Sequence, residues 1–459
     1  MREKKISNKI FDPFENFRLI TENSYIEARY NGPLYGVVDV AGAKNMVTKI
    51  LIAALSGETG KVKIRNIPWI GEMDITLSLC KRLGVDFKIN PDKTLELKID
   101  GFKNPEVRFD SYLGNRVSLL FAGPVLYKLG KANISKPKGC EIGERKIDFH
   151  LAGFQAFGIK IKEYDDYLGL TLKHKEFKPA TITLPFPSVG ATENLLIIAS
   201  MTKGVSVIKN AAIEPEILEM VKILQKSGVS IKIDANRNFI IKGGPHKIID
   251  VIDIMPDRVE AFSWGIAALS TKGDIFVKYA QQDHLLTPLS VLLDMGAGIE
   301  IYPDGIRFFY KKNLKPIKVT TQTYPGFPTD FQQPLSILLS QCNGISQIHE
   351  TIFENRFRYL ERIKTIATSG RIEIMNTCPK NEPCRFYGYN YPHVAKINGP
   401  ICLGKGDLQI DDLRAGFALL NAGILSEGIK IYGIKLLYRG YENIVEKMQS
   451  LGADVKLVI

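Results

Sequence analysis

Residues 79–89 read LCKRLGVDFKI, and this pattern, repeated along the chain, decides the fold. A helical segment ends at Gly84, and an alternating apolar strand follows at once. A glycine just past a helix end takes the left-handed conformation that caps the helix, and the period of two after it is typical of a strand. The pattern returns in FQAFGIKIK, LQKSGVSIKI, LLDMGAGIEI, IATSGRIEI and MQSLGADVKLV, at Gly158, Gly228, Gly296, Gly370 and Gly452.

A second pattern consists of a helix of small residues, a glycine and another strand. It centres on Gly60, Gly130, Gly204, Gly273, Gly344 and Gly428. Six copies of each pattern, roughly seventy residues apart, predict six related α/β units. The period exceeds that of ordinary solenoids, so we expect more than one strand–helix pair in each unit. The sequence therefore predicts an α/β protein of two lobes, each with three units, inner helices and outer strands.

Length and composition limit the possible functions. The chain has 459 residues, of which 45% are hydrophobic and 24% charged, and its formal net charge is +12. The lysines are spread over the whole length, which favours anionic small molecules at least as much as nucleic acid. No apolar run approaches the ~20 residues that span a bilayer, and the basic N-terminus lacks the apolar core of a signal peptide. Six cysteines are too few for a disulfide scaffold, so we expect a cytoplasmic protein.

The segment KPKGCEIGERK, residues 136–146, carries a single thiol, Cys140, between two glycines. Lys136, Lys138, Arg145 and Lys146 surround it with positive charge. Nearby cations lower the pKa of a cysteine and favour the reactive thiolate. The segment is typical of a mobile loop that closes over an anionic substrate, although a surface loop with an inert cysteine remains an alternative at this point.

Two predicted helix starts offer backbone N–H groups to an anion. Lys44 and Asn45 open a helix directly after the predicted strand 37–40, and Ser188, Val189 and Gly190 precede another helix. No GxxxxGK[ST] or GxGxxG motif follows a strand, which excludes the P-loop and dinucleotide-binding classes. Arg116 stands early in an apolar helix, an unusual place for a charge without a partner.

The second half of the chain repeats charged residues where strands end and helices begin. Asp330 follows a proline turn at a helix start, where N-capping is the simpler interpretation. Arg356, Arg414 and Arg439 fall at the same stage of successive repeats. Such positions converge when repeats pack around a common axis, so we expect these side chains to share a site.

Two segments lie outside the repeat pattern. Residues 1–24 are charged and weakly periodic, and we interpret them as an extension or mobile arm. Residues 376–405 contain Cys378, Cys384, His393 and Cys402, whose types suit zinc although their spacing is not the CxxC pair of usual structural sites. We therefore interpret this insert as a plain loop, with a metal site at these four residues as the weaker alternative. No cofactor is predicted.

Ten short motifs match one enzyme family in their order and spacing. They are AGAKN, NRVSLLFAGP, GCEIGERKIDFH, PSVGATEN, EPEI, PDRVE, FPTDFQQ, FENRF, DDLRA and RGYE. Together they resemble the bacterial UDP-N-acetylglucosamine enolpyruvyl transferases over about residues 25–459. The related 5-enolpyruvylshikimate-3-phosphate synthases share the repeats but lack the cysteine loop, so the chain resembles them less.

The resemblance implies two inside-out α/β barrels with the active site in the cleft between them. We therefore predict one domain from residues 44–255 and a second from 25–43 together with 256–459. It also implies transfer of the enolpyruvyl group of phosphoenolpyruvate to the 3′-hydroxyl of UDP-N-acetylglucosamine, with release of phosphate, as the first committed step of peptidoglycan precursor synthesis. Both substrates are small molecules, and no nucleic acid or membrane partner is expected.

The resemblance further implies the roles of individual residues. Cys140 is the general acid at C3 of phosphoenolpyruvate, and Asp330 contacts the 3′-hydroxyl and is the candidate base. The residues expected to hold phosphoenolpyruvate or to lie near the reacting centre are Lys44, Arg116, Arg145, Arg356, Arg414 and Arg439. The residues expected to contact the sugar, the diphosphate or the uracil are Asn45, Ser188, Val189, Gly190, Lys146, Ile147, Asp148 and Phe149.

Four positions depart from the family pattern: Lys146, Ile213, Tyr438 and Lys49 stand where proline, arginine, aspartate and proline are more common. Because three of these lie at the expected nucleotide rim, a related transferase that acts on another nucleotide or UDP-sugar is a second hypothesis. A non-catalytic basic protein that binds nucleotides or nucleic acid is a third, from a different functional class. The intact set of Cys140, Lys44, Arg145 and Asp330 argues against that third hypothesis.

Overall fold

The computed structural model describes residues 12–108, 116–136, 147–173, 176–379 and 382–459. The strands are β1 (Tyr25–Arg29), β2 (Tyr35–Asp39), β3 (Gly60–Arg65), β4 (Asp86–Ile89), β5 (Leu95–Ile99), β6 (Glu106–Val107), β7 (Lys131–Ser135), β8 (Ile159–Glu163), β9 (Tyr167–Leu172), β10 (Thr181–Thr183), β11 (Gly204–Lys209), β12 (Ser230–Ile233), β13 (Phe239–Gly243), β14 (Val251–Asp253), β15 (Asp274–Lys278), β16 (Gly298–Tyr302), β17 (Gly305–Phe309), β18 (Lys318–Thr320), β19 (Gly344–His349), β20 (Arg371–Met375), β21 (Val394–Gly399), β22 (Leu403–Gln409), β23 (Ser426–Tyr432) and β24 (Asp454–Val458).

The helices are α1 (Glu15–Leu19), α2 (Lys44–Ala54), α3 (Gly71–Arg82), α4 (Val117–Leu129), α5 (Asp148–Ala156), α6 (Val189–Met201), α7 (Pro215–Lys226), α8 (Arg258–Ser270), α9 (Leu286–Met295), α10 (Gln332–Ser340), α11 (Arg358–Lys364), α12 (Leu413–Gly423), α13 (Lys435–Tyr438) and α14 (Ile444–Ser450).

The described strands form six sheets of four strands each, with the orders β14-β3-β5-β4, β6-β7-β9-β8, β10-β11-β13-β12, β16-β17-β15-β2, β18-β19-β21-β20 and β22-β23-β1-β24. Every sheet contains one parallel pair, such as β3 with β14, and two antiparallel pairs, such as β3 with β5 and β4 with β5. The six predicted repeats are therefore confirmed as six copies of one α/β unit. Within the described residues the sheets are open rather than joined into one hydrogen-bonded barrel.

The glycines of the first sequence pattern take the predicted capping conformation. Gly84 has φ +81°, and Gly158, Gly228, Gly296, Gly370 and Gly452 also have positive φ. Each follows a helix and precedes the strand of the same unit. A residue with a Cβ is strained at such φ values, which explains why every repeat needs glycine there.

The apolar side chains form two separate cores. The first contains Phe14 and buried residues from Ala43 to Met255, and the second contains buried residues from 17–40 and 259–455. We call the residues around them the first lobe (43–255) and the second lobe (25–40 and 256–458). In the second lobe the inner helices α8, α10 and α12 contact one another, and all thirteen residues of α8 are buried. The predicted arrangement of inner helices and outer strands is confirmed.

Residues 12–24 do not form a mobile arm, which corrects our interpretation of that part of the N-terminus; residues 1–11 lie outside the described residues. Helix α1 and its flanks bury Phe14, Phe17 and Ile20. Phe14 belongs to the first core, whereas Phe17 and Ile20 belong to the second. The apolar residues recur every three positions, so one face of this short helix packs across both lobes.

Residues 376–405 are not a plain loop throughout, which corrects a second interpretation. Strand β21 is a regular inner strand of its sheet, and β22 begins at Leu403. Only the connection between β20 and β21, residues 376–393, is irregular, and residues 380–381 of it lie outside the described residues. Cys402 is exposed and lies outside that connection.

Candidate active site

The carboxylate of Asp330 lies at the contact between the two lobes. Arg356 Nη2 is 2.7 Å from Asp330 Oδ1, and Arg414 Nε is 3.3 Å from Oδ2. Both arginine side chains are almost fully buried. Asp330 sits in a short turn of 3₁₀ helix, Thr329–Phe331, before α10, and its side chain does not cap α10. The simpler N-capping interpretation is therefore wrong, because the side chain pairs with arginines instead.

The positive surroundings set the protonation state of this carboxylate. Burial alone would raise the pKa of Asp330, but Arg356, Arg414 and Lys44 together hold that pKa well below its usual range. Asp330 is therefore ionised throughout the physiological pH range. A carboxylate held in this way accepts hydrogen bonds strongly but is a weak proton acceptor while the arginines remain paired with it.

The start of α2 brings residues of the first lobe to Asp330. Asn45 Nδ2 lies 3.4 Å from Asp330 Oδ2, and Arg414 Nη2 lies 3.2 Å from Asn45 Oδ1. The backbone N–H of Lys44 donates to the carboxylate of Asp257 at 3.0 Å. The junction between the lobes therefore fixes the N-terminus of α2 against the carboxylate of the opposite lobe.

A second ion pair joins the lobes beside Lys44. Arg439 donates from Nε and Nη2 to Glu72 Oε2, at 3.1 and 2.8 Å. The pKa of Lys44 is lowered to about 8 because the ammonium is buried and lies near Arg414, Lys49 and Arg439, while Glu72 opposes this shift. A lysine with such a pKa changes charge just above neutral pH, so its affinity for an anion depends on pH.

Acidic residues that the sequence interpretation missed balance these cations. Glu72 carried no signal beyond being an acid in the first turn of α3, a common position that complements the helix dipole. Glu193 is buried 3.8 Å from Lys49, and burial raises its pKa to about 7. Glu216 lies 2.9 Å from Arg258 of the second lobe, in a fully buried pair. Glu216, the second glutamate of EPEI, thus forms a contact between the lobes.

The predicted nucleotide-side residues lie together in the first lobe. Ser188 caps α6 by accepting a hydrogen bond from the N–H of Ala191, and Val189 and Gly190 form its first turn. Ile147 precedes α5, whose first residues are Asp148 and Phe149. These two helix starts meet through His150, because a Cβ added at Gly190 would lie 3.6 Å from the His150 ring.

His150 is a further residue that sequence reasoning did not assign. It is buried, its Nδ1 lies 3.1 Å from Asn194 Nδ2, and burial together with the charge of Arg116 lowers its pKa to about 3. Arg116 stands directly before α4, and its charge acts on His150. The neutral imidazole fixes the start of α5 against α6, and Arg116 adds positive charge on the same side.

The contacts thus bring together two sets of predicted residues: Lys44, Asn45, Asp330, Arg356, Arg414 and Arg439 at the lobe contact, and Arg116, Ile147, Asp148, Phe149, Ser188, Val189 and Gly190 around α5 and α6. Cys140, Arg145 and Lys146 lie outside the described residues, so their roles stay predictions. In the part of the chain that the structure describes, no helix combines the length and the apolar character that crossing a membrane requires.

Comparison with known proteins shows the family of the chain. The sequence profile of the EPSP synthase (3-phosphoshikimate 1-carboxyvinyltransferase) family matches residues 29–448. UDP-N-acetylglucosamine 1-carboxyvinyltransferase of Protochlamydia amoebophila is 39% identical over 442 residues, which cover 93% of this chain and 92% of the relative. The protein of the same name numbered 1 in Staphylococcus epidermidis is 35% identical over 429 residues, covering 93% and 97%.

Solved structures show the same fold. The enolpyruvyl transferase NikO from Streptomyces tendae superposes with a TM-score of 0.81 at 21% identity, covering 95% of this chain and 99% of that one. EPSP synthase from Acinetobacter baumannii gives a TM-score of 0.69 at 15% identity, covering 95% and 100%. With the six-unit fold, the charged contact between lobes and these relatives in view, the chain belongs to the UDP-N-acetylglucosamine 1-carboxyvinyltransferases of the EPSP synthase family.

Proposed function

We propose that this protein transfers the enolpyruvyl group of phosphoenolpyruvate to the 3′-hydroxyl of UDP-N-acetylglucosamine and releases phosphate. The observation that carries the proposal is the Asp330 carboxylate, held between Arg356 and Arg414 and contacted by Asn45 from the opposite lobe. Such a site offers an acceptor for a sugar hydroxyl directly beside cations for an anionic donor. The names of the curated relatives contain UDP-N-acetylglucosamine and the transfer of a carboxyvinyl group, which supports this acceptor and this type of reaction.

The cations at the lobe contact suit phosphoenolpyruvate. This small molecule carries several negative charges, and arginine binds carboxylate and phosphate oxygens with two parallel hydrogen bonds. We assign Lys44, Arg439, Arg116 and Arg145 to its phosphate and carboxylate. Arg439 already pairs with Glu72, which keeps the guanidinium oriented before the donor arrives.

The reaction proceeds by addition and elimination. Cys140 donates a proton to C3 of phosphoenolpyruvate while the 3′-oxygen bonds to C2 and loses its own proton. The resulting tetrahedral intermediate then breaks the bond between C2 and the phosphate oxygen, and C3 gives up a proton to restore the double bond. The reaction therefore needs only one acid and one base on opposite sides of the donor, and its bonds and protons balance without a cofactor.

The ion pairs of Asp330 with Arg356 and Arg414 affect its role as a base. While Arg356 and Arg414 hold the carboxylate, its basicity is too low for efficient proton removal. We propose that Asp330 first orients the 3′-hydroxyl as a hydrogen-bond acceptor. It becomes a better base when the arginines shift their contacts toward the anionic donor, because its pKa then rises toward the usual value of a carboxylate.

The nucleotide is assigned to the first lobe. Ser188, Val189 and Gly190 present the N-terminus of α6, where free N–H groups favour a diphosphate. Lys146, Ile147, Asp148 and Phe149 are assigned to the uracil. In this proposal residues 44–255 and residues 25–43 with 256–459 are the two domains, and the acceptor binds where they meet.

Phosphate release from phosphoenolpyruvate, measured with UDP-N-acetylglucosamine, other UDP-sugars and UMP, tests the proposal. UDP-N-acetylglucosamine should support the fastest release, and Cys140→Ser should abolish it. Buried Cys342, whose pKa burial raises to about 12, provides the control substitution Cys342→Ala with release retained. Release with UMP and none with UDP-N-acetylglucosamine would assign the chain to another acceptor, while salt-sensitive binding to mixed nucleic acid without release would favour the non-catalytic hypothesis.

A further inference from the structure

The irregular connection 376–393 brings two cysteines to two histidines of the adjacent sheet. The ligand atoms of His349, Cys378, Cys384 and His393 all lie within 4.8 Å of one another. His349 ends β19 and His393 directly precedes β21, so the sheet holds both imidazoles rigidly. Cys378 Sγ is 3.2 Å from His393 Nε2. Four soft or intermediate ligands from two segments thus converge on one point.

Both imidazoles are arranged to present the same nitrogen. His349 Nδ1 is 2.8 Å from the carboxylate of Glu382, and His393 Nδ1 is 2.7 Å from the carbonyl oxygen of Tyr391. Carboxylate and carbonyl oxygens only accept hydrogen bonds, so in each ring Nδ1 is the protonated nitrogen and donates. In the neutral rings Nε2 therefore carries the free lone pair. This is the outer contact that metal-binding histidines usually make.

His349 provides an independent sign of a missing ligand. Its side chain is completely buried, and among the described residues its Nε2 has no hydrogen-bond partner. A buried polar atom without a partner costs about 1–3 kcal/mol, so such atoms usually signal an ion or water. Cys384 Sγ meanwhile accepts from the backbone N–H of Phe386 at 3.4 Å, a contact that fixes the position of the sulfur.

We propose that His349, Cys378, Cys384 and His393 bind one Zn²⁺ in a tetrahedral structural site. Zinc lies about 2.3 Å from thiolate sulfur and about 2.0–2.1 Å from imidazole nitrogen. In a tetrahedron these lengths place neighbouring ligand atoms roughly 3.3–3.8 Å apart, so the observed group needs only a small contraction. Two thiolates with two imidazoles in this geometry favour zinc over calcium or magnesium. All four positions are occupied by protein, so the site leaves no place for a reacting water.

The site has a clear position relative to the proposed reaction. Arg385 follows the ligand Cys384; its guanidinium lies 3.5 Å from Glu354 and 5.0 Å from the ring centre of Phe186 in the first lobe. Phe186 belongs to the loop before Ser188. A metal bound to Cys384 therefore also fixes the neighbouring Arg385, which contacts both lobes at the nucleotide side.

Metal content of the full chain tests the proposal directly. The chain is purified in reducing buffer without a polyhistidine tag, and zinc per chain is measured by plasma mass spectrometry. We expect about one zinc per chain in the unaltered protein and at least a tenfold loss in Cys378→Ser and in Cys384→Ser. Cys402→Ser is the matched control, since Cys402 is exposed and lies outside the cluster, and it should keep its zinc.

A spectroscopic measurement on the unaltered chain avoids the risk that a variant fails to fold. After removal of metal by a chelator, titration with Co²⁺ should give thiolate-to-cobalt charge-transfer bands and the visible bands of a tetrahedral ion at one equivalent, and Zn²⁺ should abolish them. Restored zinc should also slow proteolysis of residues 376–393. Absence of both zinc and cobalt bands, equal loss of zinc in Cys402→Ser, or a Cys378–Cys384 disulfide in the intact mass would overturn the proposal.

Discussion

Replacement of Asp330 by asparagine removes one negative charge from a contact that two buried arginines share. The substitution keeps the shape of the side chain and one acceptor oxygen. Arg356 and Arg414, with side chains 3% and 4% exposed, are then left with no full counter-charge from this position. Removing one partner of a buried ion pair costs about 3–5 kcal/mol. Because the Asp330 side chain is 26% exposed, we expect the lower end, about 3 kcal/mol.

Urea unfolding of the unaltered chain and of Asp330→Asn measures this loss. Asp411→Asn is the matched control, because Asp411 pairs with Arg362, whose side chain is 49% exposed. An exposed pair of this kind contributes about 1 kcal/mol or less, so the control should shift the midpoint little. Inorganic phosphate should stabilise Asp330→Asn more than the unaltered chain, since the freed arginines bind the anion and binding adds to folding stability.

The same variant separates the structural role of Asp330 from its role in turnover. Phosphate release should fall by about 10²–10⁴-fold, the usual contribution of a positioned proton-transfer group. The affinity for UDP-N-acetylglucosamine should change little, since we assign the nucleotide to other residues. If Asp330→Asn loses no more stability than Asp411→Asn and phosphate stabilises both equally, the arginines do not depend on this carboxylate and the reasoning is refuted.

Two further predictions concern the charge of Lys44. The pKa of Lys44 is about 8, so the ammonium is present below that pH and lost above it, and kcat/KM for phosphoenolpyruvate should fall as pH rises through about 8. Lys44→Arg should move this fall to higher pH. If the profile of Lys44→Arg is unchanged, the fall belongs to another group. Glu72 raises the pKa of Lys44, so Glu72→Gln should move the fall in kcat/KM below pH 8 and should also weaken the contact with Arg439. A profile identical to that of the unaltered chain would show that Glu72 and Lys44 are not coupled.

The repeats could be predicted because their signals are local. A glycine that ends a helix and an alternating strand after it depend only on a few neighbouring residues, and all six glycines of the first pattern take positive φ. The grouping of Asp330, Arg356 and Arg414 could also be predicted, since repeats place equivalent positions at a common axis. These predictions depend on periodicity, which is visible in a single sequence.

The partners of these residues could not be predicted, because they come from distant parts of the chain. Glu72 reaches Arg439 only when the lobes meet, and nothing around it distinguishes it from an ordinary first-turn acid. His349 is a strand residue far upstream of Cys378, so the residue types within 376–405 grouped Cys402 with the other three residues instead. Residues 12–24 were interpreted as a mobile arm because charged and polar residues separate the apolar side chains that pack, Phe14, Phe17 and Ile20.

Helix α1 and its flanking residues form a third connection between the two apolar cores. The chain also crosses between them at residues 40–43 and 255–259, where Ala43 and Met255 are hydrogen-bonded side by side, so these two crossings act as one joint. Any opening that detaches Phe14 from Trp69, ring centres 5.6 Å apart, exposes a buried aromatic ring at a cost of about 2 kcal/mol. A free energy of 1.4 kcal/mol changes an equilibrium constant tenfold, so the packing of Phe14 multiplies the ratio of closed to open molecules roughly thirtyfold. The packing of a short N-terminal helix thus favours the arrangement in which the two lobes are in contact.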